Sequence, residues 1–142
     1  MNEIEESSQF HDLSKDASLE IVTPKVDFLF DADKDKLEQA LINLIDNSVK
    51  YTKKGSIKVA VAKKDDLVVF KITDSGIGIP QDSLDRIGQK FFRAENAVTL
   101  DKKGTGLGLF ITKSIVEKHG GNIQIESKEN AGTTININIP RI

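Results

Sequence analysis

Apolar positions in this chain follow two rhythms. From Asp33 to Thr52 they recur every three or four residues, at Leu37, Ala40, Leu41, Leu44, Ile45 and Ser48. That spacing predicts a helix with one stripe against a core. Asp33 is placed to cap its first free amides, and the helix should end around Tyr51-Thr52, before Lys53-Lys54-Gly55. Apolar and polar residues then alternate through Ile57, Val59 and Val61, and again through Val68, Phe70 and Ile72. A hairpin follows from this, with Lys63-Lys64-Asp65-Asp66 as its turn.

The second hairpin strand runs directly into Asp74, and Pro80 precedes a short helix expected over Asp82 to Ile87. Ala94 to Lys103 reads as a polar connecting stretch. A second strong helix begins within the run Gly104-Thr105-Gly106-Leu107-Gly108-Leu109. Its apolar face is expected at Leu107, Phe110, Ile111, Ser114 and Ile115, with Gly120-Gly121 as a left-handed cap. Two final strands are expected at Asn122 to Ser127 and Thr133 to Ile139. Near the start, Ser18 to Val22 and Val26 to Phe30 read as short strands joined by Thr23-Pro24-Lys25. Residues 1–12 form a polar, acidic tail or the remnant of a preceding segment, and residues 13–142 one domain. The fold class expected is α/β: a two-layer sandwich of a mixed, mostly antiparallel sheet with about three helices on one face.

Composition narrows the chemistry. At 142 residues, 38% hydrophobic and 30% charged, the chain can bury a core without disulfides. Its net charge of -2 gives no electrostatic case for nucleic acid. No apolar run approaches the roughly 18 residues of a membrane span, so no direct membrane contact is expected. Cysteine is absent, which excludes thiolate chemistry and fits a reducing, cytoplasmic setting. The two histidines, His11 and His119, are far apart in sequence, which argues against a histidine-rich metal site.

Three features carry candidate chemistry. Asp74 opens into Ser75-Gly76-Ile77-Gly78, and an acceptor-only carboxylate there suits an exocyclic amine such as that of adenine. The glycines would let a flat base approach the main chain, although an Asp-Ser-Gly turn closing a strand has the same composition. The second glycine run leads into a helix, whose free amides can receive an anion. It is neither a Rossmann nor a Walker loop, and a merely flexible glycine-rich loop remains open. Asn43 and Asn47 share one side of the first long helix, which Lys50 continues beside Tyr51. Amide oxygens suit magnesium. Asparagine is a poor helix former between Ile45 and Val49, and such local inconsistency marks functional sites. Solvent-facing asparagines are the bland alternative.

These segments resemble the sequence boxes of bacterial-type sensor histidine kinases. Asn43-Leu44-Ile45-Asp46-Asn47-Ser48-Val49-Lys50-Tyr51-Thr52 is similar to the N box, and Asp74 to Gly78 to the G1 box. Phe91-Phe92-Arg93 resembles the F box, and Gly104 to Leu109 the G2 box. The likeness runs from about Leu19 to Ile139 and implies the GHKL (Bergerat) fold with ATP and Mg²⁺ bound. It implies that Asn47 holds the metal, that Asn43 and Lys50 approach the phosphates, and that Tyr51 lies near the nucleotide. It further implies that Asp74, with Gly76, Ile77 and Gly78, takes the adenine, and that Lys103-Gly104-Thr105-Gly106-Leu107-Gly108-Leu109 shapes the phosphate side. Residues 94–103 would be a lid. Arg93 would act with Asn43 and Lys50 in transfer, or contact the partner domain.

The resemblance also implies transfer of the γ-phosphoryl group to a histidine on a separate dimerisation domain, with a response regulator served indirectly. The isolated chain would be a monomer and the full-length protein could be membrane-anchored. Related conformational ATPases generally carry a glutamate four residues before the metal asparagine; here that position is Asn43, which favours a kinase. A GHKL conformational ATPase, the serine-phosphorylating anti-sigma branch and a nucleotide-binding regulatory module are the alternatives. The family often has phenylalanine where this chain has Gly88, and a small apolar residue where it has Ser48, a mild change. His11 has too little chain around it for the phosphoacceptor hairpin, and His119 reads as structural at a helix end.

Overall fold

In a computed structural model, residues 15–22, 32–90, 92–100 and 107–140 are described. The order is β1 (Ala17–Val22), α1 (Lys34–Tyr51), β2 (Gly55–Lys64), β3 (Leu67–Asp74), a 3₁₀ helix (Gln81–Arg86), α2 (Glu95–Leu100), α3 (Gly108–Lys118), β4 (Asn122–Lys128) and β5 (Gly132–Pro140). The five strands form one sheet in the order β1-β2-β3-β5-β4. β1 pairs with β2 in parallel and the other three pairs are antiparallel. The expected mixed, mostly antiparallel α/β sandwich is therefore present.

Register explains both the core and the site. Ile21, Val59, Ile72, Ile135 and Ile125 line up across all five strands. Because side chains alternate between faces, residues two positions along share that face. Val68, Phe70, Ile137 and Ile139 are accordingly buried against Leu37, Leu41, Leu44, Ile45 and Val49 of α1. Each such side chain contributes about 1.5–3 kcal/mol by leaving water. The next row toward the end of β3 is Leu19, Ile57, Asp74, Thr133 and Ser127. The core face thus turns polar at one end of the sheet.

α1 begins as its sequence indicates: the Asp33 side chain accepts from the Lys36 amide at 3.1 Å. It packs against α3, where buried Thr112 donates to the Ala40 carbonyl at 3.3 Å. The exit of α3 uses Gly120 at φ +76°, as expected of a left-handed cap. His119 joins the two helices. Its Nδ1 donates to the Ile115 carbonyl at 2.8 Å and its Nε2 accepts from the Asp33 amide at 2.9 Å. The histidine is structural through these two hydrogen bonds.

Four local expectations change. Lys63 and Lys64 belong to β2, and the turn is Asp65-Asp66 with Asp65 at φ +54°; aspartate tolerates that conformation. The stretch from Ala94 contains the helix α2. The short helix after Pro80 is 3₁₀. On α3, Leu107, Phe110, Ile111 and Ser114 are only half-buried, whereas Thr112, Ile115 and Val116 are buried. Contact with α1 sets that face. The expected tail at 1–12 with His11, the Thr23-Pro24-Lys25 turn, the strand at Val26 to Phe30, Phe91, and Lys103 to Gly106 lie outside the described residues.

Candidate functional site

A cavity of about 270 Å³ opens between α1 and the polar end of the sheet. From α1 it is lined by Asn43, Asn47, Ser48, Lys50 and Tyr51, and from the end of β3 and the loop beyond by Asp74, Ile77 and Gly78. Thr133, Ile135 and Ile125 form its floor; Phe92, Arg93, Asn96 and Ala97 approach from the α2 side; Gly108 and Leu109 close the α3 side. Residues from the four sequence boxes thus share one concavity. Its volume is near the lower end of the range for small-molecule sites, about 300–1,000 Å³.

Asp74 lies where the apolar sheet face becomes polar. Its Oδ1 accepts from the Gly76 amide at 2.9 Å and its Oδ2 from the Ser48 hydroxyl at 3.0 Å. Burial pushes its pKa above the ordinary aspartate value, and hydrogen bonds from Gly76, Ser48 and the Thr133 backbone oppose that rise. The two carboxylate oxygens offer four lone pairs and three donors face them, so a further donor can still be taken. Ser48 carries more weight than a mild departure: it is buried and holds the acid. Its place on the apolar stripe of α1 was the available signal. Thr133 was marked by the alternation of Ile135, Ile137 and Ile139 carried one step back.

The G1-type glycines sit in close backbone packing. A Cβ on Gly76 would lie 2.4 Å from the Tyr51 carbonyl, and one on Gly78, at φ +69°, 2.0 Å from the Lys128 carbonyl. These residues let backbones pack together; Gly78 also lines the cavity, while Gly76 does not. The loop is fastened through Ile77 N–H to Tyr51 O at 3.1 Å and Asn130 N–H to Ile77 O at 2.7 Å. Ile79 N–H donates to Ser127 Oγ at 2.8 Å. This end of the cavity is therefore pre-formed by protein contacts.

At the other end, a Cβ on Gly108 would sit 4.0 Å from Asn47 Nδ2, which brings the start of α3 beside the asparagine of α1. Lys50 does not project alone: its Nζ is 3.2 Å from Asp46 Oδ2, both side chains partly exposed. Arg93 donates to the Tyr51 hydroxyl and the Ala97 carbonyl, each at 3.3 Å, so it ties α2 to α1. Asn96, which sequence reasoning missed, donates from Nδ2 to the Gly78 carbonyl at 3.0 Å. Its Oδ1 is shielded from water and has no partner. Gly88 lines the cavity at φ +90°, with Lys113 and Leu109 side-chain atoms 3.7 and 3.9 Å from where a Cβ would stand. Phenylalanine would fit that space only with backbone strain. Leu107 does not line the cavity.

Among the described residues no group of three or more His, Cys, Asp or Glu side chains could hold a metal. An amide-rich set fits a hard cation whose remaining ligands come from phosphate and water. No helix of the described residues is long and apolar enough to cross a membrane.

Residues 32–142 match the family of histidine kinase-, DNA gyrase B- and HSP90-like ATPases. The chain belongs to that family. Its relatives include the circadian input-output histidine kinase CikA of Synechococcus elongatus, 38% identical over 99% of this chain and 18% of CikA. Sensor histidine kinase WalK of Bacillus subtilis is 35% identical over 91% of this chain and 22% of WalK. The chain thus spans about a fifth of the length of these relatives. Among solved structures, the mycobacterial sensor histidine kinase MprB superposes with a TM-score of 0.77 at 30% identity, covering 88% of this chain and 84% of that one. The catalytic domain of histidine kinase ThkA gives 0.74 at 32% identity, covering 89% and 81%. The chain is an ATP-binding ATPase-type domain of the histidine-kinase kind.

Proposed function

We propose that this domain binds ATP with Mg²⁺ and passes the γ-phosphoryl group to a histidine on a separate dimerisation and phosphotransfer domain. The observation that carries the reading is the shared cavity: an amine acceptor, Asp74, stands at one end, and Asn47 and Gly108 both line the other. Asp74 would take the exocyclic amine of adenine, with Ser48 and Gly76 holding its two oxygens. Asn47 would supply an oxygen to Mg²⁺, the phosphates supplying others. Bound magnesium contributes charge neutralisation along the phosphates. Asn43 and Lys50 would orient the terminal phosphate, and Arg93 would keep Tyr51 and α2 in place beside it. Lys103 to Gly106 would complete the phosphate side.

Such a transfer needs positioning and charge neutralisation more than a strong base for water. Position 43 carries an amide and no carboxylate, which supports transfer over hydrolysis. The nearby carboxylate Asp46 is engaged by Lys50 at 3.2 Å. The partner would be the histidine-bearing domain of the same or another chain, with a response regulator downstream. The test is binding of a fluorescent ATP analogue with and without Mg²⁺ to the intact chain and to Asn47→Ala. The magnesium-dependent part of the affinity should vanish in the variant; its full retention overturns the metal assignment.

A further inference from the structure

Asn96 performs a task that neither the cavity's four sequence boxes nor the proposed transfer requires. It sits on α2 and lines the cavity. Its amide nitrogen is committed to the Gly78 carbonyl at 3.0 Å. That carbonyl can only accept, so the amide orientation is fixed: Nδ2 faces the loop and Oδ1 faces away from it. Oδ1 is removed from water without a hydrogen-bond partner. An unmatched buried acceptor carries a free-energy cost, and native structures tolerate few of them. A donor delivered by a ligand would relieve it. The terminal torsion of asparagine is broad, so a small rotation can offer Oδ1 to the cavity while Nδ2 stays on Gly78.

The chemistry of that donor is restricted. An amide oxygen repels phosphate oxygens, which are predominantly ionised at neutral pH, so the triphosphate is a poor match. Gly78 belongs to the loop that Asp74 opens, at the base end of the cavity. We infer that Asn96 is a specificity residue whose Oδ1 accepts one hydrogen bond from the nucleoside half of the bound nucleotide while its Nδ2 holds the loop. The donor is an N–H or O–H: the second proton of the adenine amine, or a ribose hydroxyl. The inference rests on the ATP reading of the cavity.

The same residue would then join the nucleoside to α2. Arg93 fastens the start of α2 through Tyr51 and Ala97, and Asn96 fastens it to the base-end loop. A nucleotide donor on Oδ1 adds a third tie, available only when the cavity is filled.

Binding titrations arranged as a cycle separate this from a purely mechanical role. The intact chain and Asn96→Ala are each titrated with ATP, 2′-deoxy-ATP, 3′-deoxy-ATP and the analogue in which adenine lacks its amine. Loss of the Gly78 tie affects all four ligands alike and cancels. The expected result is that one analogue binds roughly threefold to tenfold more weakly than ATP to the intact chain because of this bond. Against Asn96→Ala that ratio should fall by the same factor; which analogue does so names the donor. If Asn96→Ala changes all four affinities by one common factor, or none of them, the inference is overturned. Asp74→Asn in parallel guards the underlying reading: no ATP binding by the intact chain, or no effect of Asp74→Asn, would overturn the ATP assignment itself.

Discussion

Ser48 and Asp74 are joined across two layers of the fold, the hydroxyl of α1 donating to the carboxylate at the end of β3 at 3.0 Å. The helix supplies the donor because position 48 is on its buried stripe. The strand supplies the acceptor because position 74 shares the face of Val68, Phe70 and Ile72. Removing the hydroxyl should leave Oδ2 short of a donor in a buried setting. Burial already holds the Asp74 pKa above the ordinary value, and Ser48→Ala should raise it further. Nucleotide affinity in Ser48→Ala is expected to fall at a higher pH than in the parent on acidification, with Ser48→Thr close to the parent. Identical pH profiles for Ser48→Ala and the parent would refute the coupling.

Asp74 itself should trade stability for binding. Its raised pKa means that the folded chain holds this proton more tightly than the unfolded chain does. The stabilising contribution is full below the unfolded-state pKa and is lost as pH rises through the raised folded-state value. Above that folded-state value the ionised, buried carboxylate carries a cost. Asp74→Asn is expected to melt at or above the parent temperature at pH 7 while its affinity for ATP drops at least tenfold. A lower melting temperature with intact affinity would contradict both halves.

The two loop glycines should fail as folding residues before they fail as binding residues. Gly78→Ala places a Cβ against the Lys128 carbonyl at φ +69°, and Gly76→Ala places one against the Tyr51 carbonyl. Each is expected to cost about 2–4 kcal/mol by overpacking and backbone strain, read as a lower denaturant midpoint without nucleotide. Parent-like stability with lost binding would show that ligand approach, and not packing, demands the glycines.

His119 should matter to stability and not to nucleotide. It bridges the end of α3 to the cap of α1 through Ile115 and Asp33. Two hydrogen bonds at about 0.5–1.5 kcal/mol each set the expected loss in His119→Ala, with ATP affinity within twofold of the parent. A large loss of affinity at unchanged stability would place this residue in the site.

Much of this was legible in the chain because the decisive signals are local. The α1 period, the Asp33 cap, the β2–β3 alternation and the Gly120 exit all depend on neighbours in sequence. The boxes around Asn47, Asp74 and Gly108 marked the residues that converge on the cavity. What sequence did not show depends on packing between elements. Thr112 is buried on α3 because α1 presents the Ala40 carbonyl to it, and no periodicity announces that. The Tyr51 and Lys128 carbonyls that pack against Gly76 and Gly78 come from distant parts of the chain, and the glycine run alone did not announce them. Asn96 gave no signal, since its role arises only where α2 meets Gly78.

On the proposed function, this cavity positions ATP for transfer and does not activate water. The most direct measurement mixes the intact chain with γ-labelled ATP, Mg²⁺ and a histidine-bearing dimerisation domain, and follows label on protein and label as free phosphate together. Label should appear on the histidine in an acid-labile form, with little free phosphate, and Asn47→Ala should abolish it. Steady release of phosphate with no label on the histidine would contradict the claim and return the domain to the hydrolases of its family.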